Sequence, residues 1–192
     1  EMYGNGILVP KDIDRAIYYY TLSAEQNDFI AHNSLGCIYS NKKYNRIDIK
    51  KAIYYFSLAA NQNDSKSLYN LGLIYLEGIY LKKDLNKAIY YFTRASNLNN
   101  HDAMLNLSAI YVFEENHQDI DKAFQLAQKA SLFNNAKAQF LLGTIYYFEK
   151  FKRQNFNKAV EYFKLAAKNQ NSDAYHPLGF LYHEGKHIAK NI

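Results

Sequence analysis

Tryptophan is absent from these 192 residues, proline occurs twice, and a single cysteine, Cys37, stands alone. One cysteine forms no intrachain disulfide and no all-cysteine zinc site, so a reducing, cytoplasmic setting is the simplest fit. Two prolines and eight glycines supply little of the turn material that a fold of many short strands requires. No run of about 18 apolar residues occurs, so no membrane-spanning helix is expected. The excess of positive charge is small: a net +5 permits contact with anionic partners without requiring it. The chain opens on Glu1 rather than Met, so neither its true N-terminus nor a targeting signal is read from it. What the sequence does have is apolar bulk. Hydrophobic residues make up 48% of it, with 19 tyrosines and 12 phenylalanines, enough for a sizeable core.

That bulk is arranged periodically. Leu-Gly recurs at Leu35-Gly36, Leu71-Gly72, Leu142-Gly143 and Leu178-Gly179, with Leu107-Ser108 in the gap, giving steps of 36, 36, 35 and 36 residues. Three positions after each comes a tyrosine: Tyr39, Tyr75, Tyr111, Tyr146 and Tyr182. A second ladder, Lys/Arg-Ala at Ala16, Ala52, Ala88, Ala123 and Ala159, keeps the same period. Self-similarity at this spacing is the signature of a repeat architecture.

Each unit reads as two helices. Ala31, Leu35, Ile38 and Tyr39 share one face of the first; Ala52, Tyr55, Phe56, Ala59 and Ala60 share one face of the second. The second helix is predicted to start after Asp12, Asp48, Asp84, Asp119 or Asn155, whose side-chain oxygens can accept an unpaired backbone N–H. It is predicted to close near Asn27, Asn63, Asn99, Asn134 and Gln170, since asparagine tolerates the left-handed conformation of a helix end. Gly36 and its counterparts allow close approach of the partner helix. One such pair cannot bury its own apolar faces, so neighbours must stack. The expected fold is all-α: a right-handed α-solenoid, or superhelix, of helix–turn–helix repeats of about 36 residues. The 192 residues form one array, with units at approximately 1–30 (partial), 31–66, 67–102, 103–137, 138–173 and 174–192 (partial).

The consensus Ala-x3-Leu-Gly-x2-Tyr-x2-Gly, followed by Asp-x2-Lys-Ala-x2-Tyr-Tyr/Phe-x2-Ala-Ala, resembles the Sel-1-like repeat, a relative of the tetratricopeptide repeat. Residues 67–102 match best, through Leu71, Gly72, Tyr75, Gly78, Asp84, Lys87, Ala88, Tyr91, Phe92 and Ala95. Ser108 departs from the glycine, and Lys42, Glu114 and Glu149 replace the second glycine seen at Gly6, Gly78 and Gly185, so those three loops must turn by another route. The resemblance implies a non-catalytic interaction scaffold without a cofactor, and it names no partner. The chain opens inside one unit, with Tyr3, Gly6 and Asp12, and closes at Asn191, which aligns with Asp84; a longer array, with further repeats or a catalytic domain, is therefore expected.

In the related tetratricopeptide arrangement the first helices line a concave groove. The positions that this implies are Tyr69, Leu73 and Leu76, then Leu105, Val112 and Phe113, then Phe140, Thr144, Tyr147 and Phe148, and finally Phe180. They vary between units, as a surface free of packing duties should, and they predict a protein or peptide as partner. Tyr18, Tyr54 and Tyr90 form another ladder whose counterparts are Gln125 and Glu161, so it is expected on the exposed convex side.

Other motifs weigh less. His183-Glu184-x-x-His187 matches a zinc-hydrolase pattern, but that chemistry needs an unbroken helical turn, and Gly185 aligns with helix-ending glycines. No third ligand presents itself, so no metal is expected. His32 and Cys37, five apart, do not share a helix face, and no group orients them for nucleophilic catalysis. Basic residues gather in the loops, at Lys42, Lys43, Arg46, Lys50 and Lys51, at Lys82, Lys83 and Lys87, and at Lys150, Lys152, Arg153 and Lys158. They make nucleic acid or another polyanion the second reading, weakened where Glu114, Glu115, Asp119 and Asp121 interrupt the edge. A third reading is a regulatory or targeting segment of a larger enzyme, such as a kinase.

Overall fold

In the computed structural model, residues 12–185 are described. Ten α-helices follow one another among them: α1 (Ile13–Ala24), α2 (Phe29–Ser40), α3 (Ile49–Asn61), α4 (Ser65–Glu77), α5 (Leu85–Asn97), α6 (His101–Phe113), α7 (Ile120–Ser131), α8 (Ala136–Tyr147), α9 (Phe156–Lys168) and α10 (Tyr175–His183). No strand occurs among the described residues. Even-numbered helices are the first helices of their units and odd-numbered ones the second. The first helices α2, α4, α6 and α8 each pack most extensively on the second helix of their own unit and next on the second helix of the unit before. The result is an α-solenoid, as the period predicts.

The caps stand where the sequence places them. Asp12, Asp48, Asp84, Asp119 and Asn155 each accept, through the side chain, the backbone N–H three residues on. Such a cap contributes about 1 kcal/mol. At the other end, Asn27, Asn63, Asn99, Asn134 and Gln170 all have φ between 56° and 68°. The residue after Asn63 then donates its N–H to the Ala59 carbonyl at 3.1 Å, and the one after Asn99 to Ala95 at 3.0 Å, closing Schellman turns. That same following residue (Asp28, Asp64, Asn100 or Asn135) caps the next first helix. Each of these corners between units is only three or four residues long, and the left-handed residue and the cap that follows it define the turn.

The loops within units differ more. In every one the cap residue donates its backbone N–H to the carbonyl of the ladder tyrosine: Asp48 to Tyr39, Asp84 to Tyr75, Asp119 to Tyr111 and Asn155 to Tyr146, at 2.8–3.0 Å. The lysine three residues past the cap then lies over that tyrosine's ring, 4.8–5.8 Å from its centre, in Lys51–Tyr39, Lys87–Tyr75, Lys122–Tyr111 and Lys158–Tyr146. Gly78 turns its loop with φ of 63°. The loops lacking that glycine use a short 3-10 turn instead, at Lys42–Tyr44, Glu115–His117 and Glu149–Phe151. Asn45 and Lys152 supply the left-handed residue in two of them; Gln118 stays extended in the third.

The core runs along the stack rather than into one centre. Leu35, Leu71, Leu107 and Leu142 are buried, as are Phe56, Phe92 and Phe163. Tyrosine pairs stack nearly parallel across three of the helix pairs: Tyr39–Tyr55 at 5.9 Å, Tyr75–Tyr91 at 5.7 Å and Tyr146–Tyr162 at 5.8 Å. Burial is the main reason that the hydroxyls of Tyr55, Tyr91 and Tyr162 are pushed above the usual phenol value, with the neighbouring tyrosines adding to it.

Candidate functional site

First helices of successive units touch directly, α2 with α4, α4 with α6 and α6 with α8, while the second helices of successive units meet more sparsely. The groove positions expected from the sequence lie on this first-helix side. Its polar side chains are partly spent on joining units. Asn33 donates to Asp64 at 3.0 Å and to Ser67 at 2.7 Å, and Asn106 donates to the Tyr69 hydroxyl at 3.3 Å. Asn70 reaches the Cys37 sulfur at 3.8 Å. Burial, and secondarily the Asp64 charge, push the Cys37 thiol up, the opposite of an activated nucleophile. His32 is buried against Tyr55 rather than beside that thiol.

The expected groove residues separate into two classes. Val112 and Thr144 are only 1% and 7% exposed, so they are removed from the contact surface. Val112 belongs to the core shared with Leu141 and Phe151, and the Thr144 hydroxyl donates to the Phe140 carbonyl at 3.0 Å. Tyr69, Leu73, Leu76, Leu105, Phe140 and Tyr147 are half-buried and pack against the core clusters. Tyr69 lies 5.8 Å from the Phe92 ring, and Phe140 lies 5.5 Å from Phe163. Tyr147 bridges units, contacting Phe156 and Phe163 in its own and Phe180 in the next. Helical spacing does not distinguish a groove position from a contact between units. Phe113, Phe148 and Phe180 remain exposed, at 59%, 44% and 40%. Phe113 closes α6 and Phe148 caps α8, so along the period they hold equivalent places in successive units.

Sequence reasoning missed a cleft of about 490 Å³ between α2 and α4. Ser40, Ile49 and Phe56 form one side of it, and Leu73, Ile74 and Tyr80 the other. The signal was present as a small residue, Ser40, where other units carry Leu76, Val112 and Tyr147.

The basic loop edge is partly neutralised. Arg46 pairs with Asp14 at 3.0 Å, Lys83 with Glu114 at 2.9 Å, and Arg153 with Asp121, each bridging neighbouring units. Lys51, Lys87 and Lys122 pair with the cap aspartates of their own helices. These exposed pairs contribute little stability, but they occupy the charges a polyanion would need. Lys42, Lys43, Lys50, Lys82, Lys150, Lys152 and Lys158 form no ion pair among the described residues. The Tyr18, Tyr54 and Tyr90 ladder is exposed, as expected of a convex face.

Helix α10 ends at His183, and Gly185 turns with φ of 63°, so the helical turn that a zinc pair needs is broken. His187 lies outside the described residues, as do Tyr3, Gly6 and Asn191. No group of three or more histidine, cysteine or carboxylate side chains suited to a metal occurs among the described residues. None of the described helices is long and apolar enough to cross a membrane.

The Sel1 repeat profile matches residues 1–28, 30–64, 65–100, 101–132 and 136–171. Among solved structures, a Sel1 repeat protein from Oxalobacter formigenes is 29% identical, with a TM-score of 0.79 over 95% of this chain and 75% of that one. The protein c5321, a protective antigen present in uropathogenic Escherichia coli strains and displaying an SLR fold, is 26% identical. Its TM-score is 0.77 over 91% of this chain, which spans 38% of that protein. The immunity protein Pa5087 from Pseudomonas aeruginosa, 20% identical with a TM-score of 0.53 over 83% of this chain and 60% of its own, shares the fold alone. No protein with a curated description matches the chain.

Proposed function

The chain belongs to the Sel1 repeat family, and from that premise we propose that it is a non-catalytic scaffold or adaptor binding a protein or peptide along the concave side of its solenoid. Sel1 repeat proteins are generally interaction scaffolds. The observation that carries the reading here is the exposure of Phe113 and Phe148 at equivalent places in successive units. Large aromatics left in solvent cost the chain solubility and serve as anchors when a partner covers them. Phe180 and the half-buried Tyr69, Leu73, Leu76, Leu105, Phe140 and Tyr147 border the same surface, so a partner lying across the units would meet them too. Polyanion binding ranks below this because the edge cations that bridge units, Arg46, Lys83 and Arg153, already face carboxylates.

The test is affinity capture from the native source with wild-type protein and a Phe113→Ser/Phe148→Ser variant, with nuclease treatment in parallel. A captured protein is then purified and titrated directly against both forms. Binding that the variant loses and nuclease leaves intact supports the scaffold reading. Capture abolished by nuclease but indifferent to the variant transfers the function to the basic loops.

A further inference from the structure

The repeat contains a filled version of its own cleft. Counting along the period, Ser40, Ile49 and Phe56 of the α2–α3 unit correspond to Tyr147, Phe156 and Phe163 of the α8–α9 unit. In the latter, the Tyr147 ring lies 6.2 Å from Phe156 and 6.4 Å from Phe163. In the former, the residue above the same two positions is a serine. Its hydroxyl turns back to the Cys37 carbonyl at 3.3 Å, and the cleft opens beside Ile49 with the buried Phe56 at its floor. We propose that this cleft is a receptor for an aromatic side chain, tyrosine or phenylalanine, presented by a partner peptide, which takes the place that Tyr147 holds in the other unit.

The walls and the rim agree with that occupant. Leu73 and Ile74 of α4 face the opening, and Ile79 and Tyr80, in the loop after Gly78, extend it with exposed apolar surface. At about 490 Å³ the cleft falls within the span of pockets that take up a ligand group, roughly 300–1,000 Å³. Asn41 and Asn70 supply polar groups at its edge. Lys42 and Glu77 place a cation and a carboxylate there, neither in an ion pair among the described residues. One charge of each sign suits a peptide, whose backbone and flanking residues offer both; Glu77 repels a polyanion. The occupant therefore carries an apolar ring at its centre and mixed polarity around it. This specifies the partner of the scaffold and rests on that reading.

Small capped amino acids test the cleft without a known partner. N-acetyl-tyrosine N-methylamide and its leucine counterpart are titrated into isotope-labelled protein while backbone amide resonances are followed. The tyrosine compound is expected to shift Ser40, Asn70, Leu73 and Tyr80 saturably and to bind more tightly than the leucine compound. Ser40→Tyr restores the ring that Tyr147 supplies elsewhere, and should weaken that binding by about tenfold or more. Ser40→Leu copies Leu76, keeps the test open if the larger side chain misfolds, and should also weaken it. Absence of saturable shifts at those residues, equal affinity for the two compounds, or unchanged binding in a folded Ser40 variant would each overturn the proposal. A protein that captures its partner through Phe113 and Phe148 yet shows no cleft shifts loses this inference and keeps the scaffold function.

Discussion

A Cβ placed on Gly36 would come within 2.5 Å of Cδ1 of Phe56. The same relationship holds between Gly72 and Phe92 at 2.5 Å and between Gly143 and Phe163 at 2.6 Å. The glycine is thus bound to a phenylalanine twenty residues later, and the departure at Ser108 obeys the rule. Counted from the cap residue, eight positions on, the phenylalanine place there is Ala127, nineteen residues after Ser108 because that loop is one residue shorter, and the Ser108 hydroxyl donates to the Ala123 carbonyl at 2.7 Å.

Gly72→Ala should therefore destabilise the protein by about 1–3 kcal/mol through overpacking, outweighing the roughly 1 kcal/mol that alanine gains in a helix. Ala127→Phe should be destabilising alone and recover most of its loss when combined with Ser108→Gly. Urea unfolding of the four proteins in that cycle measures the coupling; additive effects would break the pairing rule.

The candidate surface divides by the same measurement. Phe113→Ser and Phe148→Ser should each change stability by no more than about 0.5 kcal/mol, as exposed substitutions do. Phe140→Ser, which removes a ring packed on Phe163, should cost about 2–4 kcal/mol. Equal thermal shifts for all three would erase the distinction between contact and packing residues.

High pH should loosen the stack. Burial raises the Cys37 thiol above its ordinary 9.0, and the Tyr55, Tyr69, Tyr91 and Tyr162 hydroxyls above 10.0. Groups raised on folding add stability that is complete below their unfolded values and lost as pH climbs through the folded ones. Melting temperature should hold to about pH 9 and then decline. A melting temperature that stays flat as pH climbs further would contradict this.

Lys152 holds φ of 55° in a loop where its counterpart Asn45 is suited to that conformation. Lys152→Gly should stabilise by about 0.5–1 kcal/mol, the left-handed strain relieved exceeding the backbone entropy glycine adds. Asn134→Ala, at a left-handed corner, should cost about 1 kcal/mol. Denaturant midpoints decide both signs.

The architecture was legible because its constraints repeat. The Leu-Gly-x2-Tyr ladder, the cap aspartates and the left-handed asparagines each answer a local backbone or packing need, so five copies announce themselves. The candidate surface was less legible. Tyr147 and Phe113 look alike as aromatic residues on a first helix, yet one is enclosed by Phe156, Phe163 and Phe180 and the other is exposed; their register differs by one residue, and only the neighbouring helices show which side is covered. The cleft beside Ser40 escaped notice because it is a missing side chain, visible only once the ring of Tyr147 shows what belongs there. The glycine-free loops turned out to be solved by 3-10 turns, which need no fixed residue type and so leave no fixed mark.

Side-chain hydrogen bonds that cross between units span 31 to 37 residues, from Lys83–Glu114 to Asn106–Tyr69, so among the described residues each unit is tied to its immediate neighbours. With short corners between units, the molecule has the mechanics of a ratchet rather than a clasp. Pulled from its ends, it would pay out one helix pair at a time, and the middle would keep its grip on a partner while the extremities let go.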